Sequence, residues 1–111
     1  MSISTTKPTL HQTVAYLQQT GKKGANTVSY LGRHEPFMQA IQSPLGQELL
    51  KDLCARHEQL LEKVGDLVAT DEEKGEFKAV KKLIHDWSER IAKYDKALQE
   101  VKSGTGSGNA G

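Results

Sequence analysis

Residues 77–101 read FKAVKKLIHDWSERIAKYDKALQEV, and their spacing is the strongest structural signal in the chain. The large apolar side chains Phe77, Val80, Ile84, Trp87, Ile91, Tyr94, Leu98 and Val101 are separated by three and four residues in unbroken alternation. This is a heptad seam, with Phe77, Ile84, Ile91 and Leu98 at a and Val80, Trp87, Tyr94 and Val101 at d. Apolar residues recurring every 3.5 positions keep one stripe of a helix turned toward a neighbouring helix. Burial of each such side chain contributes roughly 1.5–3 kcal/mol before entropy is subtracted. The stripe is therefore expected to pack along its whole length, and these eight residues are the candidate packing and interface set.

The helix carrying the seam has a clear start. In Thr70-Asp71-Glu72-Glu73 the Thr70 hydroxyl can accept from the Glu73 N–H while the Glu73 carboxylate reaches back to the cap, a reciprocal capping box. Three acids in the first turn also suit the positive end of the helix dipole. The helix is expected to continue to about Lys102. Beyond it, SGTGSGNAG (103–111) has no apolar side chain larger than alanine and is expected to be a flexible Gly/Ser tail.

Upstream, Ser43 is a good N-cap and Pro44 suits a first helical position, where its missing N–H is no loss. A helix is expected from there to about Val68, with Gly46 and Gly65 as weak points. Its Leu49, Leu50, Leu53, Cys54, Leu60, Leu61, Val64, Leu67 and Val68 form a broad apolar face. Two long helices with a connection of two or three residues must turn back antiparallel. The seam is then expected to bury against Leu53, Leu60, Val64 and Leu67.

The N-terminal part gives weaker signals. Residues 1–8 read as a flexible arm and residues 9–42 as two or three short helices with a basic loop. Thr9 is the expected cap of a helix to about Gln19, with Leu10, Val14 and Leu17 on one face. Gly21-Lys22-Lys23-Gly24 is expected to stop it. A brief turn over residues 26–31 then ends at Gly32, and Phe37, Met38 and Ile41 form a short apolar face after Pro36. The expected fold is all-α: a long, coiled-coil-like antiparallel hairpin over 43–102, preceded by short helices and followed by the tail.

The chain's 111 residues suffice for one domain; 36% are hydrophobic, 26% are charged, and the net charge is +1. Near-neutrality argues against indiscriminate binding to nucleic acid or membrane. The total hides a bias, since residues 1–44 carry Lys7, Lys22, Lys23 and Arg33 against Glu35 alone. Cys54, the single cysteine, excludes an intrachain disulfide. No apolar run is long enough to span a bilayer and no signal peptide is evident, so a cytoplasmic setting, in a cell or an infected host, is expected, with a virion as the other setting.

Catalytic and metal signals are poor. Cys54 and His57 are spaced i, i+3, but zinc usually takes four ligands and no second pair matches. Cys54 as a nucleophile lacks an oxyanion donor and an orienting group. Asp71, Glu72 and Glu73 are better explained by capping than by acid–base work. No metal, cofactor or enzymatic activity is expected. Gly21-Lys22-Lys23-Gly24 lacks the glycine spacing and preceding strand of a phosphate loop, yet Lys22, Lys23 and Arg33 remain the candidate contacts to phosphate or nucleic acid. A degenerate helix-turn-helix over 14–41 would use residues 26–31 as its second helix, with Asn26, Thr27 and Ser29 as readers. Trp87 and Tyr94 are expected in the core rather than as base-stacking aromatics.

Association is the favoured function. Glu76/Lys81 and Arg90/Asp95, at flanking g and e positions, would be opposite in sign across a parallel homodimer. Asp86/Arg90 and Glu89/Lys93 are expected to pair within the helix at i, i+4. A basic N-terminal part followed by a helical hairpin resembles the plan of small bacteriophage packaging and head-assembly proteins. That resemblance implies a hairpin that forms the oligomer and a basic part that touches DNA. The expected function is a non-enzymatic assembly or adaptor protein binding a second copy or a helical partner. DNA packaging or other nucleic-acid binding is the alternative, and no membrane partner is expected.

Overall fold

The computed structural model describes the backbone of residues 7–110 and the side chains of residues 7–104. The chain is all-α, with four helices: α1 (Leu10–Thr20), α2 (Lys22–Gln42), α3 (Pro44–Gly65) and α4 (Asp71–Ala110). At 1.5 Å per residue, the 40 residues of α4 span about 60 Å, close to the molecule's longest dimension of 58 Å. α4 is thus the spine, and each of the other helices packs against it.

α2 and α3 follow one another along that spine, both running opposite to it. Phe37 meets Trp87 and His34 meets Arg90. Farther along, Arg56 meets Glu76 and Lys63 meets Glu73. α1 folds back on α2 and against the far end of α4, making a three-helix layer there. The core lies in that layer: Tyr16, Leu31, Met38, Tyr94, Ala97, Leu98 and Val101, with Val28, Tyr30, Phe37 and Ile91 packed against it. The burial of the seam follows from this. Tyr94, Leu98 and Val101 are buried, while Phe77, Val80, Ile84, Trp87 and Ile91 are only partly covered.

The helix boundaries follow local chemistry. Thr9 caps α1 through a capping box with Gln12, and Ser43 caps α3 by accepting from the Gly46 N–H at 3.0 Å. The box at Thr70 forms as its sequence predicts, with both hydrogen bonds at 3.0–3.1 Å. α3 stops at Gly65, short of Val68. Val68 N–H donates to the Lys63 carbonyl and Leu67 N–H to that of Val64, with Leu67 at φ +60°. This is a Schellman termination with leucine where glycine is usual. It turns Leu67 90% exposed, so Leu67 does not pack against the seam as expected.

The N-terminal part is more regular than its glycines suggest. Only Gly21, at φ +60°, interrupts the chain, and α2 then runs through Gly24, Gly32 and Pro36 to Gln42. No separate helix exists over residues 26–31, which removes the helix-turn-helix reading. Pro36 cannot donate to the carbonyl of Gly32, four residues earlier; that residue is exposed, so water can serve the carbonyl.

Tyr16 explains two further departures. Its ring lies between Gly24 of α2 and Gly104 of α4, and a Cβ on Gly104 would stand 2.4 Å from Tyr16 Cδ2. Its hydroxyl is 3.3 Å from that of Thr27. The aromatic ring therefore takes the buried place on α1, leaving Leu10 and Val14 exposed rather than on the inner face. α4 likewise continues past Lys102, its backbone helical to Ala110 where composition predicts a flexible tail. Of the expected N-terminal arm, residues 1–6 lie outside the described residues, as does Gly111 of the tail.

Candidate interaction surfaces

Several polar side chains of α4 are engaged within the chain. Arg56 donates from two guanidinium nitrogens to the two Glu76 oxygens, each at 2.7 Å, a bidentate geometry. That hydrogen bonding raises the Arg56 pKa and holds the Glu76 carboxyl below its usual range. Lys63 pairs with Glu73. Its hydrogen bond, followed by the Thr70 backbone bond, lowers the Glu73 carboxyl to about 2. Arg90 Nε donates to His34 Nδ1 at 2.8 Å while its guanidinium lies 3.8 Å from the Phe37 ring centroid. Loss of solvent first, then the charges of Arg90, Arg33 and Lys93, push His34 below the ordinary histidine range.

Within the chain, these side chains take partners other than those that the spacing along α4 predicts. Glu76 and Arg90, expected to match charges across a parallel dimer, are both used inside the chain. Asp95 Oδ1 is enclosed without a hydrogen-bond partner, and burial pushes its carboxyl upward. Arg90 turns to His34 rather than Asp86. Glu89 lies 3.3 Å from His85 rather than on Lys93. His57 stacks on Phe77 at 5.4 Å, and among the described residues no three His, Cys, Asp or Glu side chains converge as a metal site.

Among the described residues, two open surfaces bear on interaction. The first is apolar and lies where the α2–α3 junction crosses α4. Phe37, Ala40, Ile41, Leu45, Leu49 and Trp87 line a groove there. Leu45 is 70% exposed and Leu49 56%. The close crossing depends on Gly46, since a Cβ there would stand 1.9 Å from the Ala40 carbonyl oxygen. Trp87 belongs to both the seam and this groove. Sequence spacing placed it on a helix–helix contact and gave no sign that one edge stays open.

The second surface is basic. Lys23, on α2, lines a groove of about 350 Å³ with Lys93 and Lys96 of α4, together with Asn26, Tyr30 and Glu100. Lys22 and Arg33, the other candidate phosphate contacts, are exposed but do not line it. Lys93 and Lys96 were missed because they are far from Lys23 in sequence; only the antiparallel run of α2 along α4 brings them together. Among the described residues no helix is long and apolar enough to cross a membrane. No family model matches the chain, and neither does a curated protein or a solved structure.

Proposed function

We propose that the chain is a non-enzymatic assembly protein that pairs with a second copy of itself through the groove beside Trp87. The observation that carries this reading is the exposure of Leu45 and Leu49 on one face of α3, next to a groove walled almost wholly by apolar atoms. Contiguous apolar surface of this kind is characteristic of interaction sites. Leu83, 38% exposed, lies one turn before Trp87 on α4 and extends the same band.

A second copy is favoured by the i, i+4 spacing of the two exposed leucines on α3. In a two-fold arrangement each surface patch meets its own copy. An antiparallel crossing of two α3 helices centred between Leu45 and Leu49 sets Leu45 of one copy against Leu49 of the other, twice. The chain's own helices cover the C-terminal part of the seam, and its open edge at Trp87 belongs to this band.

Sedimentation equilibrium over a range of concentrations tests the reading. A dimer is expected, and Leu45→Asp with Leu49→Asp should yield a monomer with unchanged helicity, because both side chains already face water. A wild-type monomer at high concentration refutes self-pairing.

A further inference from the structure

We propose that the groove between α2 and α4 lined by Lys23, Lys93 and Lys96 binds the phosphate backbone of single-stranded nucleic acid. The three lysines come from two helices and line one shallow groove. None has an acidic partner at ion-pair distance among the described residues. The one carboxylate on the groove, Glu100, leaves the lining with a net charge of +2. Lysines not engaged within the fold are available to replace the counterions of a polyanion.

The rest of the lining suits a strand better than a lone anion. The floor is Ala97, small and 8% exposed, so a ligand can approach the helices closely. Asn26 offers an amide, and Tyr30 an aromatic ring against which a base can stack. Tyr30 is itself braced by His34, with ring centroids 4.2 Å apart. Duplex readers insert a protruding helix or ribbon into the major groove. Here the cations lie along a shallow strip beside an aromatic ring, an arrangement suited to one strand with unstacked bases.

This site is separate from the apolar band beside Trp87, so it stands or falls independently of self-pairing. The test is fluorescence anisotropy of a labelled oligothymidine on the full chain, with a duplex of equal length and inorganic triphosphate as comparison ligands. Three phosphate contacts predict that affinity falls about 20-fold between 50 and 200 mM salt. Replacing Lys23, Lys93 and Lys96 by glutamine should weaken binding by about tenfold or more. The control Lys74→Gln, Lys78→Gln, Lys82→Gln removes the same charge from another exposed part of α4 and should leave affinity within about twofold. Equal loss in both triple variants would show indiscriminate attraction and overturn the site. Preference for the duplex, or binding of triphosphate without the oligonucleotide, would overturn the assignment to single strands.

Discussion

Gly104→Ala separates two descriptions of the C-terminal stretch. If residues 103–110 were a free glycine-rich tail, alanine there would be neutral or would favour helix by up to about 1 kcal/mol. In the structure the new methyl stands 2.4 Å from Tyr16 Cδ2 and 3.3 Å from both Cγ and Cε2. Tyr16 is 4% exposed, with Gly24 against its other side, so the ring has little room to retreat. Overpacking of this kind costs about 1–3 kcal/mol. Subtracting the propensity gain leaves a net loss of about 1 kcal/mol, equivalent to a fall in Tm of about 4–8 °C for a domain of this size. Thermal unfolding followed by far-UV circular dichroism reads the difference. Gly75→Ala supplies the contrast, because a Cβ at that exposed helical position meets nothing within 4 Å, and its Tm should rise. Adding Tyr16→Leu to Gly104→Ala should return part of the loss relative to Tyr16→Leu alone. A Gly104→Ala chain that melts as high as wild type would refute the packing of α4 on Tyr16.

Other substitutions probe single features. Leu67→Gly relieves a left-handed residue that costs about 1–2 kcal/mol as leucine and forfeits little burial; unfolded-state entropy offsets part, leaving a gain of about 0.5 kcal/mol by urea denaturation, and a loss would contradict the termination geometry. Gly46→Ala pushes a methyl into the Ala40 carbonyl and the Ile41 backbone, which cannot yield as a side chain can; a loss of about 3 kcal/mol is expected, and near-wild-type stability would mean that α2 and α3 do not cross so closely. His34 must stay neutral at Nδ1 to accept from Arg90. Its folded pKa is lowered, so its contribution is present above about pH 6.5 and is lost as pH falls below that; His34→Gln should flatten the decline in Tm between pH 7 and 5, and an unchanged slope would exclude the Arg90 contact as its source.

The all-α class, the Ser43 cap and the Thr70–Glu73 capping box were legible in the sequence because each rests on residues within one or two turns of one another. Periodicity likewise marked the eight seam residues as a single stripe. It could not tell which end would be deeply buried, since that depends on how many helices lie alongside. α1 and α2 bury Tyr94, Leu98 and Val101, whereas α3 leaves Phe77 and Trp87 partly open. Glycine was the chief source of error. Gly24 and Gly104 look like helix breakers in a one-dimensional reading, but here they make room for Tyr16, and helices tolerate them once packing supplies more than propensity removes.

Short-range pattern thus dictated helices, caps and an apolar ridge. The tertiary arrangement alone decided the partners of Glu76 and Arg90, the open edge at Trp87 and the meeting of Lys23 with Lys93 and Lys96. The physical reason is distance along the chain. Backbone hydrogen bonding and capping act over a few residues, whereas a groove or a charge cluster is assembled from side chains dozens of positions apart. Their proximity is fixed only when whole helices pack.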